Sequence, residues 1–375
     1  MPLRTTVFRR LRGLVRHNRT GALFLLAVLL ALPSMLGGVT RAGAEVAAGS
    51  KKVVWVDQKV SFPAGGLTVY GTFRHPTSGR SVPGVLLIAG SGPTDRNGNN
   101  ANYPGPIDTL KTLADWLSAD GVASLRYDKL GSGKTGSGPY ASNPDAIGIA
   151  PYEQEAAAAL GFLAAQPGVE DSRLGVFGHS EGALFALLLA TGNAGTVPPI
   201  HALGLLEPLP ERYLTLTAQQ FDAQIAAQQS RHSISGSKAS QAESLLNSTI
   251  AELRATGTVQ GYPADGIGDV LNPTTATFMS QTDQFDPATL AATLPRRTPV
   301  LVTCSNADTV ISCDQVAHLR QGLAQAHADV DNLRLHNVDH VLKVDASGSG
   351  NDFALALPFS PQLKAGLAAF VHRNL

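Results

Sequence analysis

The chain has 375 residues, 43% hydrophobic and 15% charged, which is enough to bury a large core as one domain with an insertion or as two small ones. Basic and acidic residues balance at 29 each, but seven arginines and no acid fall within residues 1–44, so the remainder carries 22 basic against 29 acidic residues, a net of −7. That balance excludes a broad basic surface for nucleic acid or anionic membrane, and two cysteines without histidines at metal-ligand spacing argue against a structural zinc site.

The N-terminus reads as an export signal. Arg4, Arg9, Arg10, Arg12, Arg16 and Arg19 precede an apolar run, Gly21 to Met35, and Ala42-Gly43-Ala44 supplies small residues for cleavage near Ala44. The competing reading is an uncleaved anchor. The apolar run is shorter than the ~20 residues a span needs and Pro33 interrupts it, so no stable span is expected after cleavage. The Arg9-Arg10 pair hints at twin-arginine export, but its flanks match that signal poorly. The expected location is secreted or extracytoplasmic. In that setting Cys304 and Cys313 are expected to form a disulfide closing a short loop, with two buried free thiols as the alternative.

Next come two β-like segments, Val53–Phe62 and Leu67–His75, split by Pro63-Ala-Gly-Gly. A continuous apolar strand starts at Pro83, a helix runs from Ile107 to Ala119, a strand covers Val122–Tyr127, and a helix covers Tyr152–Ala165. Leu174–Phe177 is a strand, Ala183–Ala190 a helix, and Ile200–Leu206 a further strand. From Glu207 to Leu294 the chain is rich in Gln, Ala, Ser and Thr, with helical periodicity and no convincing buried strand. Strand pattern returns at Pro299–Thr303, followed by helix Asp314–Ala326, strand Asn332–His336 and a last helix from Pro361. Alternating strands and helices imply a mainly parallel sheet covered on both faces. The organisation expected is a signal (1–44), a first core part (45–206), a helical cap insertion (207–295) and a second core part (296–375). The insertion is placed over the C-terminal sheet edge, where such sheets bind ligands.

The sharpest signal is Gly178-His179-Ser180-Glu181-Gly182, set between an apolar strand and an apolar helix. A Gly-x-Ser-x-Gly turn in that context is a nucleophile elbow, which lifts a serine hydroxyl out of the sheet; the bare pattern without its flanks is weak. A serine needs a base, and the base an orienting carboxylate. Asp308 and His340 follow later strands in the chain order Ser, Asp, His. His336 and Asp339 are the nearest rivals of His340. The oxyanion donors expected are the backbone N–H groups of Glu181 and, in the Gly90–Asn99 loop, Ser91. The Glu181 and His179 side chains read as polar residues at the pocket rim. Tyr213, Phe221, Phe278 and Phe285 of the insertion read as packing contacts sooner than as an acyl pocket.

One motif is rejected. Gly131-Ser-Gly133-Lys134-Thr135-Gly136 imitates a nucleotide loop, but the residues after it break helices, and Asp128 stands where a P-loop needs glycine. No cofactor is expected.

Together, Gly90 to Gly98, Arg126-Tyr127-Asp128-Lys129-Leu130-Gly131-Ser132-Gly133, the serine elbow and Asn337-Val338-Asp339-His340-Val341-Leu342-Lys343 resemble the α/β-hydrolase superfamily, most closely its esterase and serine-aminopeptidase-like branch. The resemblance covers about Val53 to Leu375 and implies a mostly parallel eight-stranded sheet with a helical cap between the sixth and seventh strands. It also implies a Ser180–His340–Asp308 triad, and it makes the Arg-Tyr-Asp segment structural. Two positions depart from the pattern: Ala183 stands where relatives often carry a second glycine, and the cysteine-bracketed acid loop lacks their glycine. The function expected is ester hydrolysis of a small-molecule or lipid-like acyl substrate. The alternatives are peptide or amide hydrolysis or acyl transfer with the same triad, and a secreted binding protein on this scaffold.

Overall fold

The computed structural model describes residues 53–345, 347 and 353–375; the expected export signal lies outside them. The first hairpin joins β1 (Trp55–Ala64) to β2 (Leu67–Pro76) through Gly65-Gly66, whose φ values of 53° and 85° are the left-handed conformations a two-residue turn requires. Pro63, expected to break the segment, lies inside β1. An edge strand tolerates the missing N–H, and β1 is the edge of the sheet.

The chain continues through β3 (Val82–Ile88), α1 (Thr109–Ala119), β4 (Ala123–Tyr127), α2 (Ala150–Ala164), β5 (Val169–His179), α3 (Glu181–Ala190) and β6 (Ala202–Leu206). Helices α4 (Tyr213–Ser230), α5 (Gly236–Thr256), α6 (Pro273–Thr282) and α7 (Pro287–Ala291) follow, then β7 (Pro299–Ser305), α8 (Cys313–Gln325), β8 (Asp329–Leu335) and α9 (Pro361–Asn374). The eight strands form one sheet in the order β1-β2-β4-β3-β5-β6-β7-β8, parallel from β4 through β8 and antiparallel where β2 meets β1 and β4. Strand β5 starts five residues before its apolar part. Val169 pairs with Val82 across an irregularity, and the polar stretch that follows is exposed.

Alternation along the central strands builds two cores. In β3, Val85 and Leu87 join the core beneath α1 and α9, while Leu86 and Ile88 join the core beneath α2, α3 and α8. Each such buried side chain contributes about 1.5–3 kcal/mol. The helices between β6 and β7 have a core of their own, with Leu214, Leu246, Leu253 and Leu271 fully buried. Its polar centre is Asp283, which receives Arg212 at 3.0 Å, Arg254 at 2.9 Å and the Leu214 N–H at 2.8 Å.

The rejected glycine motif has a structural task. Asp128 receives the Arg96 side chain and the N–H groups of Arg96 and Lys134, and a Cβ on Gly133 would stand 2.2 Å from that carboxyl carbon. These glycines wrap the turn around a carboxylate.

Candidate active site

Ser180 sits between the C-terminal end of β5 and the first turn of α3, at φ 55° and ψ −122°, a conformation that non-glycine residues rarely adopt. Neighbours fix it: its N–H donates to the Leu206 carbonyl at 2.9 Å, and its carbonyl accepts from Leu209 at 3.1 Å. The flanking glycines are obligatory. A Cβ on Gly178 would stand 2.1 Å from the Gly182 carbonyl oxygen, and one on Gly182 would stand 2.4 Å from that of Ile88.

The structure brings Ser180, His340 and Asp308 into one hydrogen-bonded series. His340 Nε2 lies 2.9 Å from Ser180 Oγ, and His340 Nδ1 lies 2.7 Å from Asp308 Oδ2. An ionised carboxylate only accepts, so Nδ1–H donates to Asp308 and Nε2 is left to accept the serine proton. The other carboxyl oxygen, Oδ1, receives the N–H groups of Val310 at 2.7 Å and Ile311 at 3.0 Å. Burial opposes ionisation of Asp308, but His340 and these two N–H groups outweigh it and hold the carboxyl below its usual range. A disulfide joins Cys304, in β7, to Cys313, the first residue of α8, and brackets the Asp308 loop.

The two rivals fall outside this series. His336 is exposed at the end of β8. Asp339 is buried and builds the loop, accepting the N–H groups of Val341 at 3.1 Å and Lys343 at 2.8 Å; burial raises its pKa to about 6.

Ser180 opens into a cavity of about 200 Å³. Leu209, Leu216 and Ile311 form one wall, and Tyr103, Val341 and Phe353 form another, with the Tyr103 and Phe353 rings 5.4 Å apart. Ser91 and Glu181 both line it, and neither N–H donates to an acceptor among the described residues. Gly90 packs so closely against Ser180 that a Cβ there would lie 3.2 Å from the Ser180 Cβ.

A scan against family models and a search of curated proteins found no match. Solved structures do match over most of their length. The hydrolase GrgF from Penicillium sp. sh18 has a TM-score of 0.52 and 15% identity, covering 85% of this chain and 99% of its own. Est1E from Butyrivibrio proteoclasticus, with ferulic acid bound, has a TM-score of 0.51 and 16% identity over 84% and 98% of the two chains. The Pyrococcus furiosus esterase Pf2001 has a TM-score of 0.50 and 14% identity over 85% and 92%. The chain has the α/β-hydrolase fold.

Within this hydrolase fold, several buried polar groups around Ser180 had no reading, or a wrong one, in the sequence. His179, read as a rim residue, is buried. Its Nε2–H donates to the His340 carbonyl at 2.7 Å, and burial, with His340 beside it, lowers its pKa to about 4, so the ring is neutral. Glu181, read the same way, is 3% exposed and pairs with Lys129, which is 5% exposed, at 3.0 Å. Tyr213, read as packing, lines the cavity and donates its hydroxyl to Glu181 at 2.8 Å. Phe221, Phe278 and Phe285 do pack within the apolar clusters. Glu207, just past β6, is fully buried in a left-handed conformation with its carboxyl beside Asp308. A strand-end carboxylate at the ligand-binding edge was a usable signal for Glu207. Lys129 offered none, being one basic residue in a segment already explained as structural.

Among the described residues no group of three or more His, Cys, Asp or Glu side chains is placed to hold a metal ion, and no helix is long and apolar enough to cross a membrane.

Proposed function

We propose that this chain is an exported serine hydrolase that cleaves carboxylic esters with a small acyl group. The observation that carries the reading is the hydrogen-bonded series Ser180–His340–Asp308 opening into a cavity. Ser180 Oγ attacks the acyl carbon as His340 Nε2 takes its proton, and Asp308 holds the imidazole in the right tautomer and stabilises the imidazolium. The oxyanion is received by the N–H groups of Ser91 and Glu181. His340 then returns the proton to the leaving alcohol, and water releases the acid by the same steps in reverse.

The acyl size follows from volume. About 200 Å³ lies below the ~300–1,000 Å³ of pockets for drug-sized ligands, so short acyl groups fit and long chains have no enclosed site. Two solved structures of the same fold bear names or descriptions as an esterase or a ferulic acid complex, in keeping with carboxylic-ester chemistry. Export is supported by the basic, apolar and small-residue order of residues 1–44 together with the Cys304–Cys313 disulfide.

The test is hydrolysis of p-nitrophenyl esters of increasing acyl length by the wild type and by Ser180→Ala. Turnover that is highest for the shortest chains and lost in the variant supports the reading. Labelling of Ser180 by a fluorophosphonate without ester turnover would move the reading to amide or transfer chemistry. Absence of both turnover and labelling would sink it.

A further inference from the structure

An ammonium and a carboxylate buried together are costly to desolvate, and the pair holds only where geometry and further hydrogen bonds compensate. Lys129 and Glu181, the residue after Ser180, meet that condition. The Lys129 ammonium donates to Glu181 Oε1 at 3.0 Å and to the carbonyl oxygen of Gly90, and it faces the ring of Tyr152 at 5.9 Å. The second oxygen of Glu181 accepts the Tyr213 hydroxyl at 2.8 Å. Tyr213 opens α4, so this contact ties the helical insertion to the sheet edge.

The bond to Gly90 carries the argument. Its carbonyl belongs to the same peptide unit as the Ser91 N–H, and no peptide bond in the described residues is cis. In a trans peptide the C=O and N–H vectors point in opposite directions within one plane. A cation fixed on the Gly90 oxygen therefore fixes where the Ser91 N–H points, and it polarises that N–H as a donor. The other proposed donor is the N–H of Glu181, whose own side chain is held by Lys129 on one oxygen and by Tyr213 on the other. Both donors thus hang from one clamp, and one jaw of the clamp comes from the insertion.

We propose that Lys129, Glu181 and Tyr213 are positioning residues that aim the two backbone N–H donors of the oxyanion hole, which makes the helical insertion part of the catalytic apparatus as well as a wall of the pocket. This rests on the reading of Ser180 as nucleophile. Substrate is bound by the cavity whether or not the clamp is set; what the clamp changes is stabilisation of the oxyanion. Its loss should therefore appear in kcat and leave ground-state binding alone.

The experiment uses Tyr213→Phe, which keeps the ring that packs against Phe278 at 6.0 Å, and the double variant Lys129→Met/Glu181→Gln, which removes both buried charges together. Wild type and variants are compared for kcat and KM on a short-chain ester, for inhibition by a trifluoromethyl ketone that forms a tetrahedral oxyanion on Ser180, and for inhibition by the product carboxylate. Removing a direct oxyanion donor costs on the order of 10²–10³ in kcat, so loosening one is expected to cost about tenfold in Tyr213→Phe and about a hundredfold in the double variant. KM and product inhibition should stay within about twofold, and trifluoromethyl ketone inhibition should weaken in step with kcat. Unchanged kcat in Tyr213→Phe removes the insertion from the catalytic apparatus. Equal weakening of product and ketone inhibition would show a pocket wall and overturn the proposal. Should the double variant not fold, Tyr213→Phe decides alone. If the wild type shows no Ser180-dependent turnover, the nucleophile reading fails first, and it is seen to fail before any clamp variant is made.

Discussion

The two flanks of Ser180 each bury two carboxyl groups, and they neutralise them differently. On the flank of the proposed oxyanion donors, Glu181 and Glu155 lie around Lys129, so one carboxylate is balanced by an ammonium. Glu155 is buried, with the Leu130 N–H donating to it at 2.8 Å. Burial, helped by the charge on Glu181, raises its pKa to about 8 against the pull of Lys129 and that N–H. On the acid flank, Asp308 and Glu207 stand together and the partner of Asp308 is His340. Burial first, and then the charge of Asp308, push the Glu207 carboxyl well above its usual range, which favours its protonated form. One flank combines a cation, Lys129, with a proton held on Glu155; the other has no lysine or arginine paired to Asp308 among the described residues and raises the pKa of Glu207 instead. The ion pair of Lys129 sets geometry on its flank, whereas on the other the raised pKa of Glu207 limits the negative charge beside Asp308 and His340.

The strongest test of this contrast is removal of the cation. Lys129→Met leaves Glu181 buried without its partner, and loss of one member of a buried pair costs about 3–5 kcal/mol. Urea denaturation at pH 7 should show an unfolding free energy lower by that amount. A loss below about 1 kcal/mol would mean that the buried Glu181 does not depend on the Lys129 cation, and the contrast between the flanks would fail.

How much of this was open to sequence reading differs between the flanks. The elbow was legible because Gly178 and Gly182 are required by backbone contacts that a Cβ would violate, so the local pattern encodes the local shape. Asp308 and His340 were legible because strand order puts both at the edge where Ser180 emerges. The clamp was not. The partners of Lys129 lie 39 residues before it and 52 after it, and no spacing announces a contact made across three strands. Glu181 does line the cavity, but its burial was not legible, because charged residues are mostly exposed and only the distant lysine makes that burial tolerable. In the insertion, Tyr213 was legible as helical but not as a pocket residue, because its hydroxyl partner belongs to α3. At the other end of the sheet, Pro63 marked a break that the glycines after it supply instead.

A smaller effect separates the flanks by pH. Glu155 has an ordinary pKa of 4.5 and one of about 8 in the fold, so between those values the folded chain holds a proton that the unfolded chain has released. Its contribution to stability is complete below pH 4.5 and is lost as pH rises through about 8, with a slope of at most about 1.4 kcal/mol per pH unit from one proton. His179 acts with the opposite sign: its pKa falls from 6.5 to about 4, so its contribution is present above 6.5 and lost on acidification. Between pH 6.5 and 8 the Glu155 slope is free of His179. Thermal melts over that interval should fall with pH in the wild type and less steeply in Glu155→Gln. Equal slopes would place the ionisation of Glu155 outside this interval.

The least effect is expected at Glu207, and its smallness is the point. The φ of 43° and the Glu207 N–H bond to Thr303 Oγ1 at 2.8 Å direct the side chain toward Asp308, and Thr303 Oγ1 lies 3.3 Å from the carboxyl. A glutamic acid that keeps its proton is nearly the shape of a glutamine, and both can donate toward Asp308. Glu207→Gln should therefore change stability by less than about 1 kcal/mol at pH 7 and kcat by less than about threefold. Were Glu207 ionised, two negative charges would face each other in the interior, and Gln would relieve them. The variant would then be clearly more stable than the wild type, and the acid limb of its pH–rate profile would move, because Asp308 and His340 would titrate without a charged neighbour. That outcome would erase the difference between the flanks, since Glu207 would then be a buried carboxylate like Glu181, with the Arg320 guanidinium as the cation that feels its charge.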